Sequence, residues 1–154
     1  MNKNKYIELA KKAANIQINE LKKIKAVFNK SFVQAVDLIL NCKGKVVFAG
    51  VGKSGLIARK ISATFSSIGI PSFFCHPSDA LHGDLGQIDK KDVLIIFSYS
   101  GNTSELTNML KYANRFRIKI IGIASKAESV LLKASDIELK LSLIHISEPT
   151  RRYS

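Results

Sequence analysis

The 154-residue sequence predicts an α/β fold, a three-layer sandwich in which helices cover both faces of a parallel sheet and further helices precede it. Three observations carry this expectation. Short apolar runs alternate with segments of helical period, as in successive βαβ units. The runs "KVVF", "VLIIF" and "KIIGIA" are too apolar to leave one face wet, which fits strands buried on both sides. Loops rich in glycine and serine follow two of them, where the carboxyl ends of parallel strands meet ligands. With 46% hydrophobic and 23% charged residues, the chain can bury one core and has no room for a second.

The elements follow in order. Ile7, Ala10, Ala14, Leu21, Ile24 and Phe28 recur at three- and four-residue steps, predicting an amphipathic helix whose lysines, among them Lys3, Lys11, Lys12, Lys22 and Lys23, face water. "SFVQAVDLILNC" predicts a second helix capped by Ser31. Residues 1–43 are thus N-terminal helices, packing on the domain or on a partner subunit. "KVVFAG" is a buried strand, a helix runs from about Lys53 to Ser67, and "PSFFCH" and the polar loop "PSDALHGDLG" come next. The strand "DVLIIFS", the loop "YSGNTS", the helix "ELTNMLKYANRF", the strand "KIIGIAS", a short helix near "AESVLLKA" and the strand "DIELKLSL" complete the series.

Charge and cysteine usage exclude several classes. The formal net charge is +12, and much of the excess lies in the first helical region. That region has no RNP-like aromatic motif and too few residues for a helix-turn-helix domain, so the lysines read as solvated surface and no nucleic-acid partner is expected. Cys42, in a helical pattern, and Cys75, at a strand end, form neither a disulfide framework nor a CxxC pair; both read as semi-buried thiols in a reducing compartment. No uncharged apolar stretch approaches the roughly 18 residues of a membrane span, and the N-terminus has no apolar signal region. A soluble, cytoplasmic protein without a membrane partner is expected.

Two loops carry the chemistry. "AGVGKSG" fails as a Walker A loop, because the glycine required five positions before Gly52 is Val47. Gly50, Gly52 and Gly55 match a dinucleotide fingerprint, but the second strand ends in Phe74, Cys75 and His76 where an acid should grip the ribose. What remains is a helix start offering N–H groups, with Lys53 and Ser54 beside it, to a small anion. In "SYSGNTSE", Ser98, Ser100, Asn102, Thr103 and Ser104 surround Gly101 and could coordinate a phosphate. The plain alternative is a helix capped by Asn102 or Thr103 with Glu105 in its first turn.

The stretches "GVGKSGLIARKISATFSSIGIPSFFCHPSDALHGDLG" and "DVLIIFSYSGNTSEL" resemble the sugar isomerase (SIS) domain of bacterial arabinose-5-phosphate isomerases, over about Gly44 to Leu141. The resemblance implies a flavodoxin-like sandwich of the SIS type and an aldose–ketose isomerase. Such an enzyme interconverts ribulose 5-phosphate and arabinose 5-phosphate through an enediol and feeds Kdo synthesis for lipopolysaccharide or capsule. It implies no cofactor, a homo-oligomer that is a tetramer in the family, and a sugar phosphate as the small-molecule partner.

The resemblance also implies roles. Lys53, Glu105 and His82 match catalytically relevant positions, Lys53 for oxyanion stabilisation or phosphate steering, Glu105 for proton transfer and His82 for substrate contact. Gly52, Ser54, His76, His82, Ser98, Ser100, Asn102 and Thr103 become candidates for holding substrate or its phosphate. His76 matches a position able to bind substrate or an adventitious zinc ion; His76 and His82 lack a third ligand at characteristic spacing, so substrate contact is the preferred reading. Asp79 and Asp84 flank them and could fix the loop through its own backbone.

The chain departs from the family after its last strand. The resemblance leads one to expect a further glutamate, a serine- and threonine-rich loop, a later histidine and two CBS repeats, whereas residues 144–154 read "IHISEPTRRYS". This tail resembles adaptor read-through, so 44–143 is expected to be an incomplete SIS domain and 144–154 foreign. Lost catalytic residues could leave the chain inactive, and a missing helix should expose an apolar sheet face. A non-catalytic sugar-phosphate-binding module and an isomerase of another phosphosugar are the alternatives.

Overall fold

A computed structural model describes residues 3–141; the tail expected to be foreign, 144–154, lies outside the described residues. The chain runs α1 (Lys3–Lys23), a 3-10 turn (Ile24–Val27), α2 (Lys30–Leu40), β1 (Val46–Gly50), α3 (Gly52–Ser67) and β2 (Ser72–Phe74). After two 3-10 turns (Asp79–His82 and Asp84–Gln87) come β3 (Val93–Phe97), α4 (Leu106–Arg115), β4 (Lys119–Ala124), α5 (Val130–Ala134) and β5 (Ile137–Lys140). All four strand pairings are parallel, in the order β2-β1-β3-β4-β5. Successive side chains of a strand point to opposite faces, and the core divides accordingly. Val47, Leu94, Ile96 and Ile120 pack with Met109, Leu110 and Ala113 of α4 and Leu131 and Leu132 of α5. Val46, Phe48, Val93, Ile95 and Ile121 pack with Ala35 of α2 and Ala58 of α3. The sequence expectation of a parallel sheet covered on both sides holds.

Strand β1 is buried at every position, which explains why its sequence shows no alternation. At its amino end, the buried carboxylate of Asp92 accepts from the Lys45 N–H at 2.7 Å and the Asp89 N–H at 2.9 Å, pinning the starts of β1 and β3 together. Asp136 does the same for β4, accepting from the Ile120 N–H at 2.8 Å. Among the described residues, the fully exposed large hydrophobic side chains lie on helices and loops, while Phe97, Ile123, Ile137 and Leu139, on the face that packs against α2 and α3, are only half-buried.

Two local expectations change. The cap of α2 is Asn29, not Ser31: Asn29 stands outside the helix with extended backbone, and its Oδ1 accepts from the N–H groups of Ser31 and Phe32. Ser31 therefore sits within the first turn. Cys75 is buried rather than half-buried, while Cys42 is half-buried with its thiol near the carbonyls of Lys45 and Lys91. The apolar side of α1 faces outward in this chain: Ile7 is 56% and Leu21 53% exposed.

Candidate functional site

In a doubly wound sheet, ligands bind beyond the carboxyl ends of the strands where the order reverses. Here β1 connects outward to β2 on one side and lies beside β3 on the other, so the switch point falls between β1 and β3. Their last residues, Gly50 and Phe97, are register partners. The loops that leave them, residues 51–55 and 98–105, therefore start side by side. The loop after β2 leaves from the neighbouring position, with the Cys75 N–H bonded to the Phe48 carbonyl at 2.8 Å. The topology thus gathers all the candidate residues into three loops along one edge of the sheet.

The first loop turns sharply into α3. Gly52 has a φ of +60°, a conformation that a side chain disfavours, and Gly55 lets the helix pass close over β1, since a Cβ there would lie 2.6 Å from the Gly50 carbonyl oxygen. The residue in the N-cap position, Val51, offers no side-chain acceptor, so no cap competes for the first N–H groups of α3. Lys53 is exposed and Ser54 half-buried at this end of the helix.

The serine loop is built differently from the sequence expectation. Neither Asn102 nor Thr103 caps α4: Glu105 occupies the N-cap position with helical backbone and no side-chain cap. Ser98 is buried, its Oγ accepting from the Gly101 N–H at 3.0 Å and lying 3.1 Å from Thr103 Oγ1. Ser100 Oγ accepts from the Asn102 N–H at 3.1 Å. Asn102 reaches away from the loop, its Oδ1 accepting from the Val130 N–H at 2.9 Å. Glu105 is exposed and accepts from Ser104 Oγ at 3.2 Å. All four side chains Ser98, Ser100, Asn102 and Thr103 thus make contacts that shape the loop; Ser98 is buried, Ser100 and Thr103 are half-buried, and Asn102 and Glu105 are exposed.

In the β2 loop, His76 is half-buried and its Nδ1 accepts from the Ser78 N–H at 3.1 Å. A backbone N–H can only donate, so the neutral ring carries its proton on Nε2 and is a donor there. Phe74 meets the His76 ring edge-on, and the Arg59 guanidinium lies 4.3 Å over Phe74. His82 ends the first 3-10 turn, exposed, just before Gly83 reverses the chain. The Asp84 carboxylate accepts from Gln87 Nε2 at 3.3 Å. Burial, followed by the Asp84 and Asp79 charges, pushes the Cys75 thiol up to about 11, which makes it a poor nucleophile and a poor metal ligand. Among the described residues, no three His, Cys, Asp or Glu side chains converge to hold a metal ion.

Sequence reasoning missed the buttress behind the serine loop. Ser125 donates from both N–H and Oγ to the Tyr99 carbonyl, and the Leu131 N–H donates to the Gly101 carbonyl at 2.9 Å. The same rule that singled out the loops after β1 and β3, applied to "SKAES" after β4, would have found it. A separate groove of about 550 Å³, lined by Gln34, Asp37, Leu38, Asn41, Lys119, Asp136 and Ile137, opens at the opposite edge of the sheet. Lys119 and Ile137 begin their strands, and the Lys119–Asp136 pair at 3.2 Å is explained by strand registration.

The model of the SIS domain family matches residues 39–147. The chain is 42% identical over 132 residues to the arabinose 5-phosphate isomerase of Shigella flexneri, covering 86% of this chain and 40% of that protein. It is 39% identical over 138 residues to the arabinose 5-phosphate isomerase of Pseudomonas aeruginosa, covering 90% of this chain and 42% of that protein. The chain therefore spans about two-fifths of the length of these relatives. Among solved structures, an Escherichia coli protein in complex with arabinose 5-phosphate superposes with a TM-score of 0.80 at 40% identity, over 92% of this chain and 75% of that one. No helix among the described residues is long and apolar enough to cross a membrane.

Proposed function

The chain belongs to the SIS domain family, and on that premise we propose that it serves an aldose–ketose isomerase interconverting arabinose 5-phosphate and ribulose 5-phosphate. One observation carries the reading. Two loops suited to an anion leave adjacent strand ends at the β1/β3 switch, in a chain that shares 42% identity with an arabinose 5-phosphate isomerase. A cytoplasmic homo-oligomer feeding Kdo synthesis for lipopolysaccharide or capsule is the setting that this reading implies.

The reaction moves one proton between adjacent carbons and one between adjacent oxygens, with no net electron transfer and so no redox cofactor. In the aldose-to-ketose direction, a base removes the C2 proton, the electron pair passes to the C1 carbonyl, and the enediol collapses as a proton returns to C1. Ser54, Ser100 and Thr103, with the N–H groups at the start of α3, hold the phosphate. Glu105 carries the proton between carbons. Lys53 adds its positive charge to the attraction for the phosphate and stabilises the negative charge that develops on oxygen, and His82 serves the hydroxyl protons. His76, a donor at Nε2, completes the grip on the sugar.

Calorimetric titration of the purified 154-residue protein with arabinose 5-phosphate and with arabinose tests the grip, and formation of ribulose 5-phosphate tests the chemistry. The phosphorylated sugar should bind at least about 100-fold more tightly than the free sugar, a difference of about 2.7 kcal/mol. Equal binding of the two would remove the phosphate from the site. Where turnover is measured, Lys53→Ala and Glu105→Gln should each reduce it by about 100-fold or more.

A further inference from the structure

The serine loop and the start of α5 are joined by a set of directed contacts. The first three N–H groups of α5 are all satisfied: Val130 by Asn102 Oδ1 at 2.9 Å, Leu131 by the Gly101 carbonyl at 2.9 Å, and Leu132 by Ser129 Oγ at 3.4 Å. Two of the three acceptors belong to the loop. Gly101, buried and held at a φ of +68°, lies directly against Ser129 and Ala124. Tyr99, two residues earlier, is tied to Ser125 through its carbonyl. The loop that presents Ser100 and Thr103 is thus fastened to the β4–α5 turn on both sides of its glycine.

We infer that Asn102 is a positioning residue, whose side-chain carbonyl caps α5 and thereby holds Ser100 and Thr103 in place for a phosphate that Asn102 itself does not touch. This inference rests on the sugar-phosphate reading of the site. The chemistry is that of a helix cap supplied from another element: the amide oxygen satisfies an orphan N–H that would otherwise need water, and the helix end in turn fixes the loop. Held in this way, the loop need not be ordered when the ligand arrives, so ordering entropy is not subtracted from affinity. The sequence contains the pieces, "SGNTS" and "AESV", but not their juxtaposition, because 28 residues separate Asn102 from Val130.

The partner of Asn102 allows a clean test. Val130 is the first residue of α5, a position where proline is well tolerated, and Ser129 before it has the extended backbone that a following proline requires, with φ −72° and ψ 153°. Val130→Pro therefore deletes the N–H while keeping Asn102 itself, its ring Cδ taking the place of the hydrogen and turning Oδ1 away, and the valine side chain it replaces is half exposed. The full 154-residue protein is compared with Asn102→Ala, Val130→Pro and the double variant. Hydrogen exchange of the Gly101 and Thr103 amides is read first, and arabinose 5-phosphate affinity by calorimetry second.

Each single variant should speed loop exchange and weaken binding by about tenfold, and the double variant should lose no more than either alone. Asn102→Asp, which keeps an acceptor oxygen, should restore protection of the Gly101 amide. An Asn102→Ala variant that loses affinity while Val130→Pro binds like wild type would make Asn102 a direct ligand and overturn the inference. Faster exchange with unchanged affinity in both variants would make the contact structural only, and also overturn it. A wild-type protein that itself binds no sugar phosphate would overturn the functional reading and this inference together, an outcome recognisable because the unmodified chain is silent.

Discussion

Gly52 and Gly101 both adopt left-handed backbone, with φ of +60° and +68°, yet their surroundings differ. A Cβ on Gly52 would meet open space, so Gly52→Ala costs only the backbone strain, about 1 kcal/mol. A Cβ on Gly101 would overlap Ser129 and crowd Ala124, so Gly101→Ala adds a steric term and should cost about 3 kcal/mol. Urea denaturation of the two variants checks the order, and equal losses would contradict the packing of the loop on Ser129. Cys75 gives a second prediction at this scale. Its thiol is raised from 9.0 to about 11 in the folded chain, so across that window the unfolded state loses its proton first. Stability contributed by keeping the thiol neutral is complete below pH 9 and is lost as pH rises through 11. Wild type should therefore destabilise more steeply between pH 9 and 11 than Cys75→Ala, by about 2 kcal/mol over the window. Parallel slopes would show that the thiol ionises as freely in the folded chain.

At the scale of elements, the strands were the most legible. "KVVF", "VLIIF" and "KIIGIA" owe their composition to burial on both faces, which leaves little choice of residue. Caps were less so, because Ser31 and Asn29 are both good capping residues and the choice between them is made by backbone angles, which composition does not encode. The serine loop was legible as a cluster of hydroxyls but not in its division of labour: Ser98 folds back on Gly101 and Thr103 of its own loop, while Asn102 finds in Val130 a partner that only the folded chain brings near. Helix α1 is a different case. The expected helix ends early, at Lys23, with Ile24 in a 3-10 turn and Phe28 beyond it; Ile7, Leu21 and Phe28 remain more than half exposed, and the one buried side chain on α1 is Glu20, bonded to Lys23 at 2.7 Å. If α1 is the contact between copies in the proposed homo-oligomer, Ile7→Asp combined with Leu21→Asp should lower the mass measured by light scattering while leaving the helical circular dichroism of the domain in place. An unchanged mass would move the contact to another surface.

For the whole molecule, the decisive property is strand order, which no local pattern specifies. Placing β1 between β2 and β3 brings together three loops that are far apart in sequence, and it leaves the amino edge to registration by Asp92 and Asp136. The two edges of one sheet should therefore respond to mutation in opposite ways. Asp136→Ala leaves the Ile120 N–H without its acceptor and removes a half-exposed ion pair with Lys119, which should lower stability by about 1–2 kcal/mol. Asp136 also lines the groove at that edge, yet sugar-phosphate affinity should be unaffected, because the substitution lies at the far end of β4 and β5 from the loops. Lys53→Ala changes an exposed side chain at a helix start and should cost less stability than Asp136→Ala while weakening sugar-phosphate binding by about tenfold or more. Denaturation and calorimetry on the same two proteins measure both quantities. Loss of affinity in Asp136→Ala with none in Lys53→Ala would put the ligand in the groove between α2 and β5, and the strand-order argument for the site would fail.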